Sequence, residues 1–115
     1  MRTVLLVLRS EDFARALHDM LKYRYRVISA KNAEEGAALL QHQPDVLLLD
    51  LFLPGTDGLT FLEQNKPHLP SSILLFTTLA EPAILNAASA LGVQAVFLKP
   101  CSISSVNVKP NRGLR

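Results

Sequence analysis

The chain has no tryptophan, a single cysteine, 6% aromatic residues and only 19% charged residues among its 115 positions. One cysteine, Cys101, excludes an intramolecular disulfide framework and a cysteine zinc cluster, and it fits a reducing compartment. Long apolar runs are also missing. No stretch reaches the roughly 18 to 20 residues that a helix needs to cross a bilayer. The short apolar run after Arg2 is too brief for the core of a signal peptide. A soluble, cytoplasmic protein without a membrane partner is expected. Neither sign of charge dominates: 12 Lys+Arg stand against 10 Asp+Glu, a formal net charge of +2. Residues 1–100 hold nine basic and ten acidic side chains, and residues 101–115 hold three basic and no acidic ones. The positive sign therefore belongs to the C-terminal stretch and does not mark a nucleic-acid-binding domain.

What is present is apolar residues, 49% of the chain. That content can offset the entropy of folding, and the length suits one domain with a core of its own. Four short, nearly uninterrupted apolar runs stand out: Val4 to Leu8, Val46 to Leu49, Ile73 to Phe76 and Ala95 to Leu98. Strands with one wet face alternate, so runs of this kind predict strands buried on both faces, as in a parallel sheet covered by helices. Tyr25 to Ile28 reads as an edge strand.

The intervening segments have helical period. Phe13, Ala16, Leu17, Met20 and Leu21 fall on one face of a helix with Ser10 as N-cap and Glu11 and Asp12 in its first turn. Asn32 and Glu35 have capping-box spacing before a second helix carrying Ala33, Ala37 and Leu40. Leu59 and Leu62 lie in a short third helix that Pro67 ends. Ala83, Ala87, Ala88 and Leu91 line a fourth, opened by Glu81-Pro82 and closed by Gly92. Strand and helix thus alternate up to a fifth strand. Right-handed crossovers turn that order into an α/β, doubly wound five-stranded parallel sheet, flavodoxin-like, in the order 2-1-3-4-5. After Lys99-Pro100 the pattern stops, and the last helix is expected to be missing or truncated. The expected division is a domain over residues 1–101 and an irregular tail over 102–115. That leaves no room for a DNA-binding domain.

In an open parallel sheet, functional residues gather at the carboxyl ends of the strands. Those ends are Leu8-Arg9, Asp50, Thr77-Thr78 and Lys99. A carboxylate, a hydroxyl and an ammonium around one point suit phosphoryl transfer onto the carboxylate, with lysine and hydroxyl holding the phosphoryl oxygens. Taken singly, the neighbouring residues have simpler readings: Pro54-Gly55 and Asp57-Gly58 as turn and helix-start residues, Thr78 as a cap for the segment that follows, and His18, His42 and His68 as solvated surface without ligand spacing. Lys22-Tyr23-Arg24-Tyr25-Arg26 mixes basic and aromatic residues, yet it straddles a helix end and an edge strand, where these residues have structural reasons of their own.

The segment from Pro44 to Leu59, with Asp50 at the end of its apolar run and Leu53-Pro54-Gly55 after it, resembles the phosphoacceptor segment of response-regulator receiver domains. Thr77 and Lys99-Pro100 fall where that family has its switch hydroxyl and its lysine-proline pair. The resemblance covers about residues 2 to 101. It implies a two-component phosphorelay domain in the CheY-like superfamily, not an enzyme, in which Asp50 accepts a phosphoryl group from a sensor histidine kinase or a small phosphodonor. It also implies that Lys99 pairs with the phosphate, that Thr77 moves toward it, and that Asp50 and the backbone carbonyl of Phe52 contribute to a magnesium site. Homodimerisation is a further partnership of the family.

Three departures accompany the resemblance. Leu8-Arg9 stand where receivers have two adjacent acidic residues that hold the magnesium, and Asp50, one carbonyl and water are a poor oxygen set for that cation. The spacing to Phe13 argues against Glu11 and Asp12 being that pair in a shifted register. The Arg9 guanidinium is instead placed to pair with Asp50. Val96 stands three residues before the lysine, where the signalling aromatic usually lies, and Phe97 should point to the opposite face of its strand. The missing last helix is the third. They define an alternative: a phosphorylation-independent pseudo-receiver acting as a protein-interaction module. A dehalogenase-type enzyme with an aspartate nucleophile needs a second acid two residues later, where Phe52 stands.

Overall fold

In the computed structural model, which describes residues 1–100 and Val106, the four apolar runs become strands of a five-stranded parallel sheet, three of them central. In chain order the elements are β1 (Thr3–Val7), α1 (Glu11–Leu21), β2 (Arg26–Ala30), α2 (Ala33–Leu39), β3 (Val46–Asp50), β4 (Phe52–Leu53), β5 (Thr56–Asp57), α3 (Gly58–Gln64), β6 (Ser72–Thr77), α4 (Pro82–Ala90) and β7 (Ala95–Leu98). The sheet order is β2-β1-β3-β6-β7, the expected 2-1-3-4-5 when only its own five strands are numbered. The expected division at residue 101 and the truncated last helix lie outside the described residues, apart from Val106.

Helices on both faces explain why the runs are unbroken. Leu5, Val7, Leu47, Leu49, Ile73 and Leu75 join Phe61, Leu62 and Ala88 in one core cluster, on the side of α2, α3 and α4. Val4, Leu6, Leu8, Val46, Leu48, Leu74 and Phe76 join Leu17, Leu21 and Val106 in a second, on the side of α1. Every residue of β3 and β6 is buried. Each fully buried Leu or Phe contributes about 1.5–3 kcal/mol, so the central strands anchor the positions of the residues at their ends.

The helix ends follow the sequence signals. The Ser10 side chain accepts from the Phe13 amide at 3.2 Å, and Asn32 accepts from the Glu35 amide at 2.8 Å. Glu35 reaches back to the amide of Lys31 at 3.2 Å, one residue outside a strict capping box. Asp57 caps α3, accepting from the Thr60 amide at 2.8 Å.

Several expectations need correction. Ala16 and Met20 are exposed, and the seam of α1 runs through Phe13, Ala14, Leu17 and Leu21. β7 is only partly buried, because an edge strand can read as a continuous apolar run without being covered on both sides. α3 ends at Gln64, and Pro67 sits within a separate 3-10 turn over Lys66–His68. Thr78 is not a helix cap: Glu81 occupies that position before α4. The β4-β5 hairpin was not expected. Pro54 and Gly55 turn it, with Gly55 at φ 79°, the positive value that the third position of a type II turn requires.

Candidate functional site at the carboxyl edge of the sheet

The strand register decides which side chains meet. Val7 pairs with Leu49, Asp50 with Phe76, and Thr77 with Leu98, so the first residues beyond β1 and β7 come level with the ends of β3 and β6. Leu51 continues the ladder by donating to the Phe76 carbonyl at 2.8 Å, and Lys99 by donating to the Thr77 carbonyl at 2.7 Å. The result is a cavity of about 150 Å³ lined by Arg9, Asp50, Phe52, Phe76, Thr77, Thr78 and Lys99. A larger groove of about 310 Å³ between α1 and the β2–α2 region contains none of the three predicted site residues.

Asp50 is the centre of the smaller cavity and is 2% exposed. Its Oδ1 faces Lys99 Nζ at 2.5 Å, and its Oδ2 accepts from the backbone amide of Arg9 at 2.7 Å. No hydrogen bond of ordinary geometry reaches Oδ1 among the described residues, so the contact with Lys99 is an ion pair. The ammonium end is more open, its side chain 26% exposed. A carboxylate buried this deeply is tolerated only with such partners. Thr77 is buried beside the pair, and its Oγ1 accepts from the Leu79 amide at 2.9 Å, which holds the start of the loop toward α4.

The structure thus brings Asp50, Thr77 and Lys99 together. It corrects the expected role of Arg9: the backbone N–H, not the guanidinium, contacts Asp50, and the side chain is exposed. The N–H is available because β1 has ended at Val7 and the next turn points this amide toward β3. Leu8 is 2% exposed and belongs to the α1-side core, so its position carries packing and no oxygen donor. Glu11 and Asp12 open α1, and neither is among the residues lining the Asp50 cavity. Val96 packs toward the α2–α4 side and Phe97 toward α1, the opposite pointing that strand alternation predicts.

These residues do not fit a magnesium site. The cation demands near-octahedral oxygen coordination, and Asp50 is the one carboxylate among the described residues that line the cavity. Among the described residues no three His, Cys, Asp or Glu side chains gather to hold a metal.

An α/β sheet of this order, with a buried aspartate, a hydroxyl and a lysine on three consecutive strand ends, defines a CheY-like module. The model of the response regulator receiver domain matches residues 4–109, and the chain belongs to that family. It is 33% identical over 112 residues to protein-glutamate methylesterase/protein-glutamine glutaminase 2 of Nitratidesulfovibrio vulgaris, covering 94% of this chain and 30% of that protein. It is 38% identical over 74 residues to the transcriptional regulatory protein RcsB of Escherichia coli, covering 57% of this chain and 34% of RcsB. The chain thus spans about a third of these relatives' length. A receiver domain protein (CheY-like) from Methanospirillum hungatei superposes with a TM-score of 0.83 at 22% identity, over 91% of this chain and 86% of that one, which shows the fold.

Sequence reasoning missed two contributors. One is the Arg9 amide, which side-chain chemistry does not reveal. The other is Gly58, whose place against the Asp50 backbone could have been suspected from a glycine opening a helix directly after the hairpin.

Proposed function

We propose that the chain works in two-component signalling as a receiver whose Asp50 pocket sets a protein-interaction surface without a divalent cation. One observation supports this reading: Lys99 faces one oxygen of Asp50, the Arg9 amide donates to the other, and Asp50 is the one carboxylate among the residues lining the cavity. The lysine sets a positive charge against the carboxylate, and the buried strand β3 fixes the carboxylate beneath it.

The second reading is phosphoryl acceptance on Asp50 from a sensor histidine kinase or small phosphodonor. The cavity of about 150 Å³ beside Asp50 favours it, since Lys99 and Thr77 already stand where phosphoryl oxygens would need partners. Homodimerisation belongs to either reading. Incubation with acetyl phosphate and magnesium, followed by intact-mass spectrometry, separates the two. The first reading expects no added phosphoryl group and partner binding that is indifferent to magnesium. A phosphoryl group on Asp50 overturns it in favour of the second.

A further inference from the structure

Lys99 touches a second group besides Asp50. Its ammonium lies 5.3 Å from the centroid of the Phe13 ring, within the range at which the negative face of an aromatic ring attracts a cation. The ion pair fixes one contact of an ammonium carried on a flexible four-carbon stem. The ring closes the other side. Phe13 is itself braced: it packs edge to face on Phe76, centroids 5.1 Å apart and planes at 80°, and Phe76 stacks on Phe97 at 5.3 Å and 22°. Phe76 is fully buried. All three rings belong to the α1-side cluster, which also contains Val106, whereas Val96 packs on the other side.

We propose that Phe13 is a positioning residue of the Asp50 site, holding the Lys99 ammonium on its ring face, and that the Phe13–Phe76–Phe97 ladder passes the state of the Asp50–Lys99 pair to the α1 side of the sheet. The ladder takes the place of a signalling aromatic at position 96, on the opposite face. A change of charge at Asp50 alters where Lys99 rests, and the ring that contacts Lys99 is the first element to respond. The proposal holds under either reading of phosphorylation.

The test uses the full chain, without phosphodonor or magnesium, so its failure leaves the proposed function standing. Limited labelling with an amine reagent, read by mass spectrometry, reports the freedom of each lysine. Phe13→Leu keeps the apolar bulk and removes the ring, and it should raise Lys99 labelling about two- to fivefold. Lys22, Lys31 and Lys66 should label as before, and Phe13→Tyr should restore the wild-type rate. If Phe13→Leu does not fold, Phe13→Met is read in the same way. Unchanged Lys99 labelling in a folded variant without the ring overturns the positioning role, as does an equal rise in Phe13→Tyr. For the ladder, Asp50→Asn should shift the NMR signals of Phe97 and Val106 more than those of Val96, and Phe13→Leu should erase that difference. A larger shift at Val96 overturns it.

Discussion

Gly58 lies directly against the backbone of Asp50: a β-carbon at position 58 would stand 2.5 Å from the Asp50 carbonyl oxygen and 3.2 Å from Leu51 Cα. The Gly58 amide also donates to the Leu51 carbonyl at 2.5 Å. The start of α3 is thereby pressed onto the strand end that presents the carboxylate. Because the obstacle is backbone, it cannot rotate away as a side-chain tip could. Gly58→Ala is expected to destabilise the protein by about 1–3 kcal/mol, measured by urea denaturation, and to shift the amide signals of Asp50 and Leu51. Gly55→Ala meets no steric obstacle but forces a side chain into positive φ, so its cost should come from the turn alone.

Asp50→Asn removes one charge of the ion pair and leaves Lys99 without it. Deleting one partner of a fully buried pair costs about 3–5 kcal/mol. Here the ammonium is a quarter exposed and can turn to water, so a loss of about 1–3 kcal/mol is expected in equilibrium denaturation. Unaltered stability would mean that the Asp50–Lys99 contact contributes nothing net to the fold.

Arg9→Asp places a carboxylate next to Asp50 at an exposed position. Without magnesium, the added like charge should lower the melting temperature. Millimolar magnesium should recover several degrees through the new oxygen ligands, while the wild-type melting curve stays where it was. The check is a thermal melt of both proteins with and without the cation. An equal response of the two would show that residue 9 does not control cation binding.

Asp57 caps α3 through the Thr60 amide at 2.8 Å and also accepts from the Thr60 hydroxyl at 3.0 Å. Asp57→Ala should cost about 0.5–2 kcal/mol, and Asp57→Ser should restore most of it. Since α3 carries Phe61 and Leu62 into the core, the loss should appear as lower global stability in denaturation and not as local fraying.

The sheet was legible because its central strands are solid apolar runs between helices of clear period, and Asp50, Thr77 and Lys99 were legible because each ends such a run. What escaped lies in the backbone. The Arg9 amide serves Asp50 whatever side chain stands at position 9, so reading residue types assigned the contact to the guanidinium. The two-residue strands β4 and β5 are too short to show a pattern, and only Pro54-Gly55 marks their turn. β7 looked like a covered strand because Ala95 to Leu98 is apolar throughout, although it forms the edge of the sheet. The contact of Phe13 with Lys99 joins residues 86 positions apart in the chain, and helical period registers Phe13 only as core.

The opposite pointing of Val96 and Phe97 makes the edge strand a two-position address. A large ring at 96 would write into the layer of α3 and α4, and a ring at 97 writes into the layer of α1. Because a one-residue step along a strand exchanges its faces, the recipient of a message from the same lysine can be reassigned without moving the site, the sheet or the lysine itself. Exchanging the two residues would therefore be a compact way to re-route such a module in an engineered circuit.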